Sequence, residues 1–268
     1  MDQHPSAAQA TSNQLINQKP EQPEEADGLP VLNKTNLEID PDLCSIDSNY
    51  EMVSDLFDFK VLMEKSNFGI KRYKNAVYKG QISETAQVRE GYGVQINDSG
   101  RIYGGEWLQD KRGGSGFELY KNGNSYKGEF LNNKPHGKGA YYWQNGEVYE
   151  GEWLQGTKHG FGIWKCPEGS SYMGEWRNNQ VHGYGVHSWK NGDKYEGEWQ
   201  QSLKFGPGTD IFANQDVYTG AYSNGLPNGC GQYKWKSGAS YTGDFVDGNK
   251  QGKGKWKKDD KQVNCNQY

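Results

Sequence analysis

From Tyr78 onward the chain repeats itself about every 23 residues. Tyr-x-Gly recurs at Tyr78, Tyr103, Tyr126, Tyr149, Tyr172, Tyr195, Tyr218 and Tyr241, at intervals of 25 and then six times 23. A short fixed period means that each repeat is one supersecondary element, burying its apolar face mainly against its neighbours. A single globular enzyme core is disfavoured at once. The composition agrees: 37 of 268 residues are Gly and 13% are aromatic, while all hydrophobic residues together reach only 33%. That balance suits a thin structure in which aromatic rings lie over glycine backbone.

Stacked by the period, residues 126–148, 149–171 and 172–194 share one form. It runs Tyr-x-Gly-Glu-aromatic, about six turn residues, Gly-x-Gly, a short mixed run and a Gly turn. Tyr, Gly and the aromatic alternate with polar residues, the period of a strand. Tyr149, Gly151 and Trp153 therefore share one face, with Glu150 and Glu152 on the other. On the second strand Gly160 and Gly162 are expected to share a face with Trp164, leaving a groove for the rings. Asn-Gly at 122–123, 145–146 and 191–192 predicts tight primed turns. The fold class is all-β: an elongated, single-layer antiparallel meander of about eight hairpins. Sixteen strands at ~4.8 Å reach about 75 Å. A mostly irregular N-terminal arm and one short helix precede it.

Four segments follow along the chain. Residues 1–45 are rich in Gln, Asn, Pro and acids, and predict an extended or disordered arm. Residues 46–77 form a capping or docking segment. Within 49–67, Met52, Leu56, Phe59 and Met63 fall at helical spacings. Such a helix either covers the first strand of the array or docks a partner. Residues 68–77 resemble the second half of a repeat, like 116–126. The array spans 78–256, and 257–268 form a tail. Residues 1–77 carry 13 acids and 7 bases, which leaves the remainder near +2 of the chain's −4. General nucleic-acid affinity is not implied. Cys44, Cys166, Cys230 and Cys265 show no CxxC spacing, and reduced cytosolic thiols are expected. The first residues lack a basic start and an apolar core, so no secretory signal is expected.

No catalytic, cofactor or metal residues are assigned. His136, His159 and His182 recur in register, but equivalent positions lie two strands, about 9.5 Å, apart. One metal ion needs ligand atoms about 2 Å away, so turn packing or hydrogen bonding is the expected role. Glu106, Glu129, Glu152, Glu175, Glu198 and Asp244 are too alike for acid–base work, which needs unlike environments. They are expected to face solvent or to pair with cations across strands. Tyr142, Phe161 and Tyr184 alternate away from the ring face. They either form a partner patch or cover the sheet's own edge. Lys111, Arg112, Lys134, Lys158 and Lys204 fall in predicted turns, where a cationic rim could meet anionic lipid.

The pattern resembles the MORN repeat family over about 180 residues, from Tyr78 to Trp256. Departures are local. The first repeat lacks Glu-aromatic after Gly80 and is two residues longer. The sixth has Phe205-Gly206-Pro207-Gly208, and Gln215 in place of a turn Gly. The seventh has Ala221-Tyr222, and the eighth is expected to stop inside its second strand. The resemblance, to the radial-spoke-head members above all, implies a non-enzymatic scaffold in the cytoskeleton of the ciliary axoneme. Its partners would be other protein subunits of a large assembly. The candidate partner-binding residues are Met52, Leu56, Phe59, Met63, Tyr142, Phe161 and Tyr184. The alternative implied by the family is a membrane-proximal module on anionic phospholipids. Lysines in the last repeat blunt edge pairing, so other partners are expected ahead of a homodimer.

Overall fold

Strand and turn follow one another without a break because every repeat supplies two alternating stretches and two turns. The structure is a computed structural model that describes residues 56–258. Met52, the 1–45 arm and the end of the tail lie outside the described residues. The described chain divides into two compact units, one ending at His159 and one beginning at Gly160. The first holds α1 (Phe59–Met63), β1 (Phe68–Tyr73), β2 (Ala76–Ile82), β3 (Arg89–Asn97), β4 (Ile102–Leu108), β5 (Lys111–Leu119), β6 (Ser125–Leu131), β7 (Lys134–Tyr142) and β8 (Val148–Leu154). β9 (Thr157–Lys165) straddles the division. The second continues with β10 (Ser171–Arg177), β11 (Gln180–Ser188), β12 (Lys194–Gln200), β13 (Leu203–Ile211), β14 (Val217–Ser223), β15 (Leu226–Lys234), β16 (Ser240–Val246) and β17 (Asn249–Lys257). All 17 strands belong to one open antiparallel meander, as the period implies. The 68–77 segment supplies β1, which pairs with β2. The eighth repeat does not stop short: β17 has the full nine residues of its counterparts.

The tight turns are not where Asn-Gly pointed. From the second repeat on, the two strands of a repeat meet across two-residue loops, as Leu108↔Lys111, Leu131↔Lys134 and Gln200↔Leu203 show. Both loop residues take positive φ: Asn132 and Asn133 at 49° and 69°, Gln201 and Ser202 at 50° and 65°. That is the primed hairpin turn. Asn-Gly at 122–123, 145–146 and 191–192 instead closes three-residue loops between repeats, while Asn224-Gly225 does form a two-residue primed turn. Tyr120 N donates to Asn124 O at 2.9 Å and Gly123 N to Tyr120 O at 3.0 Å, with only the glycine left-handed. Gln215 takes that glycine's place in the sixth repeat at φ 73°. Left-handed backbone costs a side-chain-bearing residue about 1–2 kcal/mol. Gln201→Gly is therefore expected to stabilise the second unit by about 0.5–1 kcal/mol, read as a higher urea midpoint. An unchanged or lower midpoint would contradict this turn assignment.

The tyrosines and glycines explain each other. Gly128 faces Gly139 across β6 and β7, and Gly174 faces Gly185 across β10 and β11. Tyr126 and Tyr172 lie over these glycine pairs, fully buried. Their hydroxyls donate to the carbonyls three residues on, Glu129 O at 3.0 Å and Glu175 O at 3.1 Å. Tryptophans lock the layer edge-on: Tyr172 meets Trp176 and Trp199 at 89° and 88°. Trp176 Nε1 donates to Gly162 O at 3.2 Å, and Trp199 Nε1 to Gly185 O at 3.2 Å. Only the second glycine of Gly-x-Gly serves this groove. The first, as at Gly137 and Gly183, is left-handed and lies against the carboxylate of Glu129 or Glu175 on the opposite side.

α1 is shorter than the 49–67 stripe implies. Asp58 caps it by accepting from Lys60 N and Val61 N. Its buried residues are Phe59 and Leu62, while Met63 is only packed against the cluster. They join Val94 and Ile102, with Leu56, Phe57, Ile96, Phe117 and Leu119 around them. The segment thus covers a face of β3–β5, rather than only the first strand.

Candidate functional site

Two faces of the sheet carry different chemistry. The ring face holds the tyrosine–tryptophan layer and, unexpectedly, a row of buried ions. Positions 89, 112, 135, 158, 181, 204, 227 and 250 are equivalent in the period; they read Arg, Arg, Pro, Lys, Val, Lys, Pro, Lys. From Arg112 on, every second repeat supplies a cation. Arg112 pairs with buried Glu118, which also accepts from Arg101 Nε at 2.8 Å. Its guanidinium lies 5.5 Å from the Tyr103 ring centre. Lys204 pairs with Asp210, whose other oxygen accepts from Tyr222 Oη at 2.7 Å. The Lys204 ammonium lies 4.7 Å from the centre of Tyr195 and 5.0 Å from that of Trp189. Where the cation is replaced by Val181, the residue six on is His187. It is fully buried against Trp189 at 4.1 Å, with neither ring nitrogen hydrogen-bonded. Burial, and then the nearby Lys204 charge, push His187 down to about 3, so the ring stays neutral.

These cations correct the expected lipid-facing rim. Arg112, Lys158 and Lys204 are buried, which leaves only Lys111 and Lys134 of the five with exposed surface. Desolvation lowers Lys158 to about 7, opposed by the Glu147 charge. Lys204 is lowered for the same first reason. For a lysine lowered on folding, the unfolded chain binds more protons between the two pKa values, so stability rises with pH there. Through Lys158, unfolding free energy is expected to rise from about pH 7 to 9.5, by at most about 1.4 kcal/mol per pH unit. Above about pH 10 the buried tyrosines, raised by desolvation, reverse the trend because the unfolded chain then loses protons first. Lys158→Met should flatten the slope between pH 7 and 9.5; an undiminished slope would remove Lys158 as its source.

The opposite, open face carries the recurring acids and the partner candidates. Three of the acids bind backbone amides. Glu106 Oε1 accepts from Ser115 N at 2.9 Å, Glu129 Oε1 from Lys138 N at 3.1 Å, and Glu175 Oε1 from Tyr184 N at 3.2 Å. Each carboxylate satisfies backbone beside the bulge that its left-handed glycine makes. In the divergent first repeat Gln81 does the same, accepting from Tyr92 N at 2.8 Å. Of the histidines, His136 Nδ1 accepts from Gln155 N at 3.5 Å. Among the described residues no group of three or more His, Cys, Asp or Glu is placed to hold a metal.

Where α1 and its flanks sit, this face is closed: Val94 is 1% exposed, and the Phe57 ring packs at a tilt against Tyr92, centres 5.2 Å apart. Phe59 is buried there, so its ring is already occupied by the chain's own sheet. Leu56 and Met63 pack beside it. In the second unit, among the described residues, no such segment covers the face. Phe161, Met173 and Tyr184 are 52%, 48% and 53% exposed. Met173 lies opposite Ile163 on one side and Val186 on the other, and Phe161 lies opposite Glu175. These five side chains form one apolar patch across β9–β11. In the first unit, Tyr142 is 43% exposed on the corresponding face. Alternation made Phe161 and Tyr184 legible; Met173 was missed because it stands where other repeats have Lys127, Glu150 or Glu196.

The MORN repeat model matches residues 103–125, 126–148, 149–171, 172–194, 195–217, 218–240 and 241–263, more than half of the chain. The chain belongs to the MORN repeat family. The repeat at 78–102 lies outside the matched residues. It nonetheless keeps the MORN geometry, with Tyr78 Oη donating to Gln81 O at 2.7 Å and Gly80 opposite Gly93. The MORN family is a non-enzymatic repeat module, a structural scaffold for protein or membrane interaction. No curated protein matches the chain. Among solved structures, the chain is similar to the TCP10 domain of Danio rerio CPAP, at 8% identity and a TM-score of 0.37, covering 66% of this chain and 83% of that one. It is also similar to the Drosophila melanogaster SAS-4 TCP domain in complex with a proline-rich motif of Ana2. That match has 14% identity and a TM-score of 0.27, covering 57% and 72% of the two chains. At these scores neither likeness bears on function.

Proposed function

We propose that this MORN protein is a non-enzymatic scaffold of the ciliary axoneme, of the radial-spoke-head kind, and that it binds other subunits through its open face. The observation that carries the binding role is the contrast along that face. On β3–β5 the chain covers its apolar residues with its own Phe57, Phe59 and Leu62. On β9–β11 it leaves Phe161, Met173 and Tyr184 about half exposed. A contiguous exposed apolar patch with acids at its margin is the surface that a protein partner fills. The axonemal part rests on the resemblance of this repeat array to the spoke-head members of the family. The test is fractionation of a ciliated cell expressing the tagged chain. Detergent-extracted axonemes should retain it, and it should co-sediment with spoke subunits on release. A chain found free and diffuse overturns the axonemal role. Flotation with anionic vesicles at physiological salt would instead favour the membrane reading.

A further inference from the structure

A row of leucines and lysines follows the hairpin turns of the first unit. Leu108, Leu131 and Leu154 end β4, β6 and β8 at equivalent positions on the open face, and are 62%, 48% and 42% exposed. Leu108 lies directly opposite Lys111, and Leu131 opposite Lys134. Strand spacing puts consecutive leucines about 9.5 Å apart, with a lysine about 4.8 Å beyond each of the first two. Gly113 keeps the row open beside Leu108: an added Cβ would meet only Leu108 Cβ, at 3.8 Å.

The fold does not ask for these side chains. Arg177, Gln200 and Ser223 hold the leucine position in later repeats, before an aliphatic returns at Val246. Scattered exposed leucines are ordinary, but three in register beside unspent charge are a surface. The acids nearby are already engaged: Asp110 by Arg89, Glu106 and Glu129 by backbone amides. Among the described residues no hydrogen bond or ion pair engages the ammonium of Lys111 or Lys134.

The spacing selects the shape of what covers the row. An extended strand repeats its face every ~6.7 Å and misses the second leucine by about 3 Å. A polyproline helix matches the leucines at about 9.3 Å per turn, but it turns the residues between them a third of a turn away from the lysines. An α-helix advances about 10.5 Å in seven residues and about 4.5–6 Å in three or four. Centred on Leu131, it misses the outer leucines by only about 1 Å, within side-chain reach. We infer that this row seats an acidic amphipathic α-helix of a partner protein, lying across the strands. Apolar residues at i, i+7 and i+14 pack on Leu108, Leu131 and Leu154, and Asp or Glu one turn after the first two meets Lys111 and Lys134. This is helix docking read through heptad-spaced anchors. It does not rest on the β9–β11 patch.

Fluorescence anisotropy of the full chain tests it. The probe is a labelled synthetic helix of about 20 residues with Leu at i, i+7 and i+14 and Glu at i+3 and i+10. It should bind, and do so at least about tenfold more tightly than the same helix with Lys for Glu. Leu108→Gln/Leu131→Gln/Leu154→Gln should weaken it at least about tenfold with circular dichroism unchanged, since Gln200 already holds this position. Lys111→Glu/Lys134→Glu should reverse the preference and bind the Lys helix instead. Phe161→Ser/Met173→Ser/Tyr184→Ser should bind the Glu helix as the wild type does. A wild type that binds neither helix overturns the proposal, including by covering the row with its own chain. Binding that survives the leucine variant, or is lost in the Phe161 variant, overturns it in favour of another surface. Flotation with anionic vesicles that the leucine variant abolishes, without helix binding by the wild type, overturns it in favour of a lipid surface.

Discussion

Gly185→Ala is expected to destabilise the second unit by about 2–4 kcal/mol, or to prevent its folding. An added Cβ would stand 2.2 Å from Tyr172 Oη and 2.5 Å from its Cζ, while real Cβ atoms essentially never come within 3.0 Å. The ring has nowhere to go. It is fully buried, held edge-on by Trp176 and Trp199, and bonded to Glu175 O. Overpacking of this kind costs about 1–3 kcal/mol, and displacing the hydroxyl adds about 1 kcal/mol. Gly169→Ala is the control. That glycine has φ 102° and nothing within 4 Å of the added carbon. It should lose only the backbone preference, about 1 kcal/mol. Equal losses at the two positions, measured by urea unfolding, would show that ring-over-glycine packing is not what holds the layer.

The second large effect is at the buried ions. Asp210→Ala should cost about 3–5 kcal/mol, because Lys204 is left charged in a ring-lined site and Tyr222 loses its acceptor. Lys204→Met/Asp210→Leu should recover most of the loss, to within about 1–2 kcal/mol of wild type. The chain itself contains uncharged versions of the arrangement, at Val181 with His187 and at Pro227 with Tyr233. A double variant as unstable as the single one would mean that the pair is favourable in its own right.

Much of this architecture was legible because a period converts weak local signals into strong ones. Tyr-x-Gly-Glu-Trp alternation placed the rings and acids on opposite faces, and the structure keeps them there. The turns were misplaced for a local reason. Asn-Gly is the familiar primed-turn signal, but at 122–123, 145–146 and 191–192 only its glycine is left-handed. Several of the true primed turns carry pairs such as Gln109-Asp110 or Gln201-Ser202, which tolerate positive φ at a cost and give little sequence signal, while Asn224-Gly225 and Asp247-Gly248 occupy the same place with the familiar signal. The ion row has a period of two repeats and appears only when the single column from 89 to 250 is read down. Arg112, Lys158 and Lys204 looked like turn cations because the strands were expected to start later. The helix stripe of Leu56, Phe59 and Met63 marked the right segment. It missed Leu62, since a five-residue helix is positioned by its Asp58 cap and by the β3–β5 face rather than by long-range periodicity. At the candidate site, aromatics between glycines announced Phe161 and Tyr184, while Met173 breaks an otherwise polar column.

The central claim is that the bare part of the open face is where this scaffold meets its assembly. Replacing Phe161, Met173 and Tyr184 together by serine tests it most directly. All three side chains are about half exposed, so stability should change little, each within about 0.5 kcal/mol. In detergent-extracted axonemes the wild type should be retained and the folded triple variant released. Retention of the triple variant at the wild-type level would contradict the account.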